Sequence, residues 1–189
     1  MPIIDDLAHK SPVPGGGAAS AHCAALAVAL LHKIVKVLET KSPAETSPSW
    51  GDLREKLAHL LDDLSRLEKE DSEAYLALSR ERKSGENDDL DNAVRDSITP
   101  PLHIMERASE TLQMLHDGLL GGPRHLRADL LVCVELLAAA HKAAAAIARA
   151  NTHLFKDRQT ARHMEDHIAG QAFEFTSLQK IVTESLCAK

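Results

Sequence analysis

The sequence is poor in aromatic residues. Phe, Tyr and Trp make up 3% of its 189 residues, whereas hydrophobic residues as a whole make up 44%. The core must therefore be built largely from Leu, Ala, Val and Ile. Leu and Ala are strong helix formers, while strands favour β-branched and aromatic side chains. This composition disfavours an all-β sandwich.

Cysteine and basic charge are scarce too. The three cysteines, Cys23, Cys133 and Cys187, lie far apart, which argues against a disulfide framework and a paired CxxC zinc site and indicates a reducing compartment. The net charge of −6 gives no basic surface for a nucleic acid. We expect no nucleic-acid partner.

Long hydrophobic runs are also lacking. The longest, at positions 24–31, is followed by His32 and Lys33, whereas a membrane-spanning helix needs about 20 apolar residues. The first ten residues lack the apolar core of a signal peptide. We expect a cytoplasmic protein without a membrane partner.

The chain reads as long helical stretches separated by three loop signals, at residues 41–51, 84–89 and 117–125. No stretch alternates with period two for more than a few residues. We predict an all-α fold, an antiparallel bundle of about five long helices in one domain spanning residues 1–189. Pro100 and Pro101 interrupt the third long helix, where we expect a kink or a break.

Two predicted helices carry an apolar seam with a single polar member. Asp71 interrupts a seam with steps of three and four residues: Leu53, Leu57, Leu60, Leu64, Leu67, Asp71, Ala74 and Leu78. A buried carboxylate costs several kcal/mol unless it is paired or hydrogen-bonded. Asp71 is therefore a functional candidate, unless a salt bridge neutralises it or the seam drifts towards solvent there. Asn151 ends the second seam and is either functional or a register-fixing residue. This seam, on the fourth long helix, consists of Leu126, Leu130, Cys133, Leu137, Ala140, Ala144, Ile147 and Asn151.

The segment at positions 11–20 combines two prolines, Pro12 and Pro14, with the run Gly15, Gly16 and Gly17. Three glycines at a helix start permit close approach to the backbone, and the exposed N–H groups there can receive a carboxylate or phosphate. The run fits neither the P-loop nor the dinucleotide fingerprint, so a helix entry that only needs close packing is an equal alternative.

Eleven histidines raise the question of a metal site. His163 and His167 lie four residues apart and could reach one ion, but no third ligand has suitable spacing and no Glu-x-x-His pair occurs. We therefore predict surface histidines and no metal. Asp129, in the first turn of the fourth long helix, taken alone is typical of a helix-capping acid.

Taken in order, these features resemble the cyclodeaminase/cyclohydrolase family of folate enzymes. The family's opening signature, Ser-Pro-x-Pro-Gly-Gly-Gly before a small-residue helix, is matched at positions 11–29. Later family elements are matched in the same order by Asp71, Ala74 and Tyr75, by Arg95, Pro101 and Leu102, and by Asp129 and Asn151.

The resemblance implies a homodimeric enzyme that hydrolyses 5,10-methenyltetrahydrofolate to 10-formyltetrahydrofolate. It implies no cofactor, because folate is the substrate. Asp71 and Asp129 would be the catalytic pair, one as base and one as cation stabiliser, and we expect them to converge on one pterin. The implied substrate-binding residues are Pro14, Gly15, Gly16, Gly17, Tyr75, Lys83 and Asn151. Candidates for contact with the glutamate tail are Arg82, Lys83, Arg124 and Arg127.

The sequence departs from the family pattern in three places. The family's Leu-Pro-Lys is absent at positions 80–85, where Lys83 is the nearest cation, its Gly-Asn-x-Asn is replaced at positions 122–125, and its Ser-Asp is replaced by Ala128 and Asp129. Two alternatives therefore stay open. One is a formiminotetrahydrofolate cyclodeaminase, which acts at the same carbon. The other is a folate-binding or structural bundle without catalysis.

Overall fold

A computed structural model describes residues 2–41, 49–84 and 89–188, and within these ranges it contains helices and no strand. The elements in chain order are α1 (Pro2–Ala8), α2 (Gly16–Lys41), α3 (Trp50–Ser84), α4 (Leu90–Leu119), a 3₁₀ turn (Arg124–Leu126), α5 (Arg127–Thr152) and α6 (Arg158–Cys187). The predicted all-α bundle of about five long helices is confirmed.

The long helices pack so that consecutive ones run antiparallel. The start of α2 lies against the second half of α3, where Ala18 contacts Asp71, and the end of α2 lies against the start of α3, where Glu39 pairs with Arg54. α2 also packs along α5 and contacts α4. This central position explains why α2 is apolar around most of its circumference.

The α3 seam faces the core as its spacing predicts. Its leucines at positions 53, 57, 60, 64, 67 and 78 are buried, and so is Asp71, of which 9% is exposed. The seam therefore does not drift towards solvent at the carboxylate. On α5 the corresponding seam is buried as far as Ala144 and becomes half-buried at Ile147 and Asn151.

Helix α4 runs through Pro100 and Pro101 without interruption, so the break that the proline pair allowed is absent. Both prolines are buried, and their packing compensates for the backbone hydrogen bonds that they cannot donate. Pro101 lacks the N–H that would bond the carbonyl of Ser97. The side chain of Asn151 on α5 donates to that carbonyl instead.

The loop signals mark three of the helix connections. Residues 42–48 and 85–88 of the first two loops lie outside the described residues. The third loop is shorter than predicted, because α4 continues to Leu119 and the 3₁₀ turn begins at Arg124. The short helix α1 was not predicted. It leaves Ile4 and Leu7 exposed.

Candidate active site

A cavity of about 220 Å³ opens where the start of α2, the second half of α3 and the end of α5 meet beside α4. It is lined by Pro12, Val13, Gly15, Gly16, Gly17, Asp71, Tyr75, Ser97, Ile147, Ala150 and Asn151. The fold thus brings the glycine run, Asp71, Tyr75 and Asn151 together. Pro14 lies just outside, in a shallow neighbouring pocket that also contains His9 and Ser11.

Asp71 is held against the first turn of α2. One carboxylate oxygen, Oδ2, accepts a hydrogen bond from the backbone N–H of Ala18 at 3.1 Å. A β-carbon added to Gly17 would overlap the Asp71 carboxyl group, so only glycine fits at this position. The sequence predicts an anion at the start of α2, where the positive end of the helix dipole favours negative charge. The protein itself supplies this anion, the Asp71 carboxylate.

The Asp71 carboxyl is suited to proton transfer. Burial raises its pKa above the ordinary value, and the hydrogen bond from Ala18 offsets this only in part. No Lys or Arg forms an ion pair with Asp71 in the described parts of the chain, so the salt-bridge explanation fails there. A buried carboxyl with a raised pKa in a cleft is the pattern of an acid–base group.

Asp71→Asn should make the folded protein more stable at neutral pH. Between the ordinary aspartate pKa of about 4 and the raised value, the folded state binds a proton that the unfolded state lacks, so wild-type stability falls as pH rises through this window. Thermal melts from pH 3 to 8 should show the variant's advantage growing with pH. A constant difference would contradict a raised pKa. The contrasting variant is Asp157→Ala, which removes the N-cap of α6. Hydrogen bonds lower the pKa of Asp157, so this variant should be less stable than the wild type, and the difference should grow towards neutral pH.

Ser97 is the site residue that sequence analysis missed. Its carbonyl accepts a hydrogen bond from Asn151 Nδ2 at 3.4 Å, while its hydroxyl bonds back to Val94 within α4. The sequence signal is Pro101, which follows by four residues and leaves this carbonyl without a helical donor. Tyr75 lies one turn after Asp71 and stands at the cavity mouth, with 48% of its surface exposed.

A second groove of about 350 Å³ adjoins the cavity and shares Tyr75 and Asn151 with it. Its other lining residues are Leu78, Ser79, Arg82, Lys83 and Leu154. Two of the four candidates for contact with the glutamate tail, Arg82 and Lys83, thus lie in a groove beside the cavity. The other two candidates, Arg124 and Arg127, lie at the opposite end of α5, and Arg127 donates to the carbonyl of Ala188.

Asp129 does not reach the cavity of its own chain, contrary to the expectation that the two acids converge. It is exposed in the first turn of α5, whereas Asn151 is in the last. Since α5 is one continuous helix, the 22 positions between them correspond to about 33 Å. Among the described residues of one chain, Asp71 is the only one that brings a carboxyl group to the cavity lining.

A larger groove of about 430 Å³ lies between α4 and α6. Glu106, Glu110 and Glu174 line it together with several uncharged residues, and no Lys or Arg does. This acidic lining would repel a carboxylate-bearing ligand. The smaller cavity at Asp71 therefore remains the candidate site for the folate chemistry implied by the sequence.

The chain is similar to known proteins of one family. A family model described as formiminotransferase-cyclodeaminase matches residues 2–170. A search of curated proteins finds no match. Among solved structures, a formiminotetrahydrofolate cyclodeaminase from Thermotoga maritima is similar, with 23% sequence identity and a TM-score of 0.89 over 97% of this chain and 92% of that one. At this identity the likeness shows a shared fold.

Proposed function

Because this chain belongs to the formiminotransferase-cyclodeaminase family, we propose that its Asp71 cavity binds 5-formiminotetrahydrofolate and catalyses ring closure with loss of ammonia. The matching family and the protein of similar structure are both cyclodeaminases, which favours this reaction over the hydrolysis implied first by the resemblance. The observation that carries the proposal is the buried Asp71 carboxyl beside the glycine run.

The reaction requires a proton to move between two nitrogens. N10 of the substrate attacks the carbon of the protonated formimino group on N5, which gives a tetrahedral carbon bonded to N5, N10 and an amino group. Asp71 as carboxylate takes the proton from N10 and returns it to the amino group. Ammonia then leaves, and the positive charge remains on the 5,10-methenyl product. Atoms and charge balance without metal or water.

One carboxyl group suffices for this sequence of steps. The proton that N10 loses is the one that the departing amine gains, so the same group acts first as base and then as acid. A raised pKa suits both roles, because efficient acid–base catalysts have a pKa near the working pH. This removes the need for Asp129 in the cavity, and its catalytic role is not part of the proposal.

The remaining lining residues fit a flat, tailed ligand. Gly15, Gly16 and Gly17 expose backbone without side chains, and Tyr75 offers a ring face at the mouth. Arg82 lies 11 positions after Asp71 on α3, about 17 Å along the helix axis. A folate with its pterin at Asp71 would extend its glutamate carboxylates towards Arg82 and Lys83.

Replacing both cations of the second groove, Arg82→Ala with Lys83→Ala, should raise KM about tenfold and leave kcat nearly unchanged, since exposed charges contribute to tail binding and not to the chemical step. Steady-state kinetics at low ionic strength measures this. The matched control is Lys69→Ala with Arg80→Ala, which removes the same charge from exposed α3 positions outside the groove. Equal KM values for both double variants would show that the groove does not bind the tail.

The homodimer implied by the sequence also has a candidate surface. α2 and α5 are long, apolar helices. In their most apolar 18-residue stretches, however, the buried share is only 44% and 50%. Leu26 and Val132 are exposed on them, 45% and 48% respectively. We propose that a second copy covers this face.

The charged residues on the exposed side of α5 are arranged as a two-fold dimer axis requires. Glu135 and Lys142 are both exposed, and seven positions apart they lie on one stripe of the helix. When two copies of α5 pair antiparallel about a two-fold axis between positions 138 and 139, each Glu135 faces the Lys142 of the other copy. Sedimentation equilibrium should give twice the 20.5 kDa chain mass. A single-chain mass at micromolar concentration would contradict the dimer.

The reaction itself is tested by offering two substrates separately. With 5-formiminotetrahydrofolate we expect ammonia release together with a rise in the methenyl absorbance. Faster loss of absorbance from 5,10-methenyltetrahydrofolate, without ammonia release in the first assay, would identify the cyclohydrolase instead. Folate binding without either turnover would identify a non-catalytic bundle, and an absence of binding would overturn the proposal.

A further inference from the structure

Pro101 has an effect on the site although it does not line the cavity. In an α-helix the carbonyl of residue 97 accepts from the N–H of residue 101, and proline has none. Asn151 Nδ2 donates to the Ser97 carbonyl across the α4–α5 contact. An alanine at position 101 would supply the helical donor and compete with Asn151 for this acceptor.

The Ser97 carbonyl determines which way the Asn151 amide points. A carbonyl only accepts hydrogen bonds, so the NH₂ end of the amide must face it, and the oxygen Oδ1 occupies the other side. Asn151 lines both the cavity and the adjoining groove. No donor to its Oδ1 is found in the described parts of the chain.

We infer that Pro101 is a positioning residue: by leaving the Ser97 carbonyl free, it holds Asn151 with Oδ1 as an acceptor for an N–H group of the bound ligand. The inference rests on the proposed function for the identity of that ligand. Near the reacting carbon, 5-formiminotetrahydrofolate has N–H groups on the pterin, on N10 and on the formimino group. An acceptor at this point discriminates against a ligand that presents an oxygen there, because two acceptors cannot bond.

The test compares Pro101→Ala with Pro100→Ala. Both prolines are buried in α4, but an alanine at position 100 donates to the exposed turn at Asp96 and leaves the Ser97 carbonyl unchanged. In ligand-free protein, the side-chain NH₂ signals of Asn151 are identified by their absence from Asn151→Asp. We expect Pro101→Ala to shift these signals and speed their hydrogen exchange, and Pro100→Ala to leave them as in the wild type.

Kinetics then measures the consequence for the ligand. Pro101→Ala should raise KM for 5-formiminotetrahydrofolate about tenfold, the loss of one hydrogen bond, with a smaller change in kcat. Equal weakening of tetrahydrofolate binding assigns an N–H that the two folates share, on the pterin or on N10, and unchanged tetrahydrofolate binding assigns the formimino N–H.

Three outcomes overturn the inference: unchanged Asn151 signals in Pro101→Ala, the same shift in both proline variants, or shifted signals without any change in KM. A wild type that does not turn over the substrate would refute the proposed function. The NMR comparison would still decide whether Pro101 holds Asn151.

Discussion

Asp71→Asn should lower kcat by about a thousandfold, the range associated with loss of a positioned acid–base group. Asn keeps an oxygen that can accept from the Ala18 N–H, so the α2–α3 contact survives, but it cannot take the proton from N10 or return it to the leaving amine. Ammonia release under saturating substrate measures the loss. A residual rate within threefold of the wild type would exclude Asp71 as the proton carrier.

The matched control is Asp52→Asn, which makes the same chemical change at an exposed position 19 residues before Asp71 on α3, about 28 Å along the helix axis, and we expect the wild-type rate. Asp129→Asn is tested beside it, because the proposed antiparallel pairing of α5 brings Asp129 of the second copy opposite position 148, close to Asn151. Wild-type rates in both Asp71→Asn and Asp129→Asn would remove the carboxylate mechanism altogether. A large loss at Asp129 would instead show that a partner subunit brings this acid to the cavity, as the two-acid interpretation of the sequence supposed.

Gly17→Ala should cost about a hundredfold in kcat and about 1–3 kcal/mol in stability. The added β-carbon occupies the volume of the Asp71 carboxyl group, which is short, buried and unable to turn away freely. The carboxyl must move from the α2 start, and it loses its hydrogen bond to Ala18. Urea unfolding and steady-state kinetics measure the two effects.

A glycine elsewhere provides the control for Gly17→Ala. Gly170 is an exposed residue within α6, and a β-carbon added there meets nothing within 4 Å. Gly170→Ala should therefore stabilise the protein by about 0.5–1 kcal/mol, the usual gain for alanine in a helix interior, and leave kcat unchanged. If both glycine variants stabilise the chain equally, the Gly17–Asp71 contact does not exist in solution.

The fold was predictable because periodicity encodes burial directly. The spacing of the α3 seam predicts both the helix and its buried face, and the low aromatic content favours helices over strands. The proline pair predicts a kink or a break, and α4 has no break there, because propensity describes an isolated helix. In the bundle, burial of Pro100 and Pro101 and the donor from Asn151 compensate for the missing backbone bonds.

The site was predictable only in part. Asp71 and Asn151 were found because each is a polar exception in an apolar seam, and Gly17 because three consecutive glycines are conspicuous. Asp129 was predicted to lie beside them because the family motifs occur in the same order in this sequence. The order of motifs carries no information on distance along a helix. Ser97 was missed because it takes part through its backbone, which no side-chain pattern reveals.

A folate bound as proposed lies against the glycine run and Asp71, and NMR titration of the wild type with tetrahydrofolate, which carries the pterin and the tail without the formimino group, measures this. We expect the amide signals of Gly15, Gly16, Gly17 and Ala18 to shift with saturation, together with the side chain of Asn151. Shifts confined to the acidic groove between α4 and α6, or none at millimolar tetrahydrofolate, would contradict this placement of the folate.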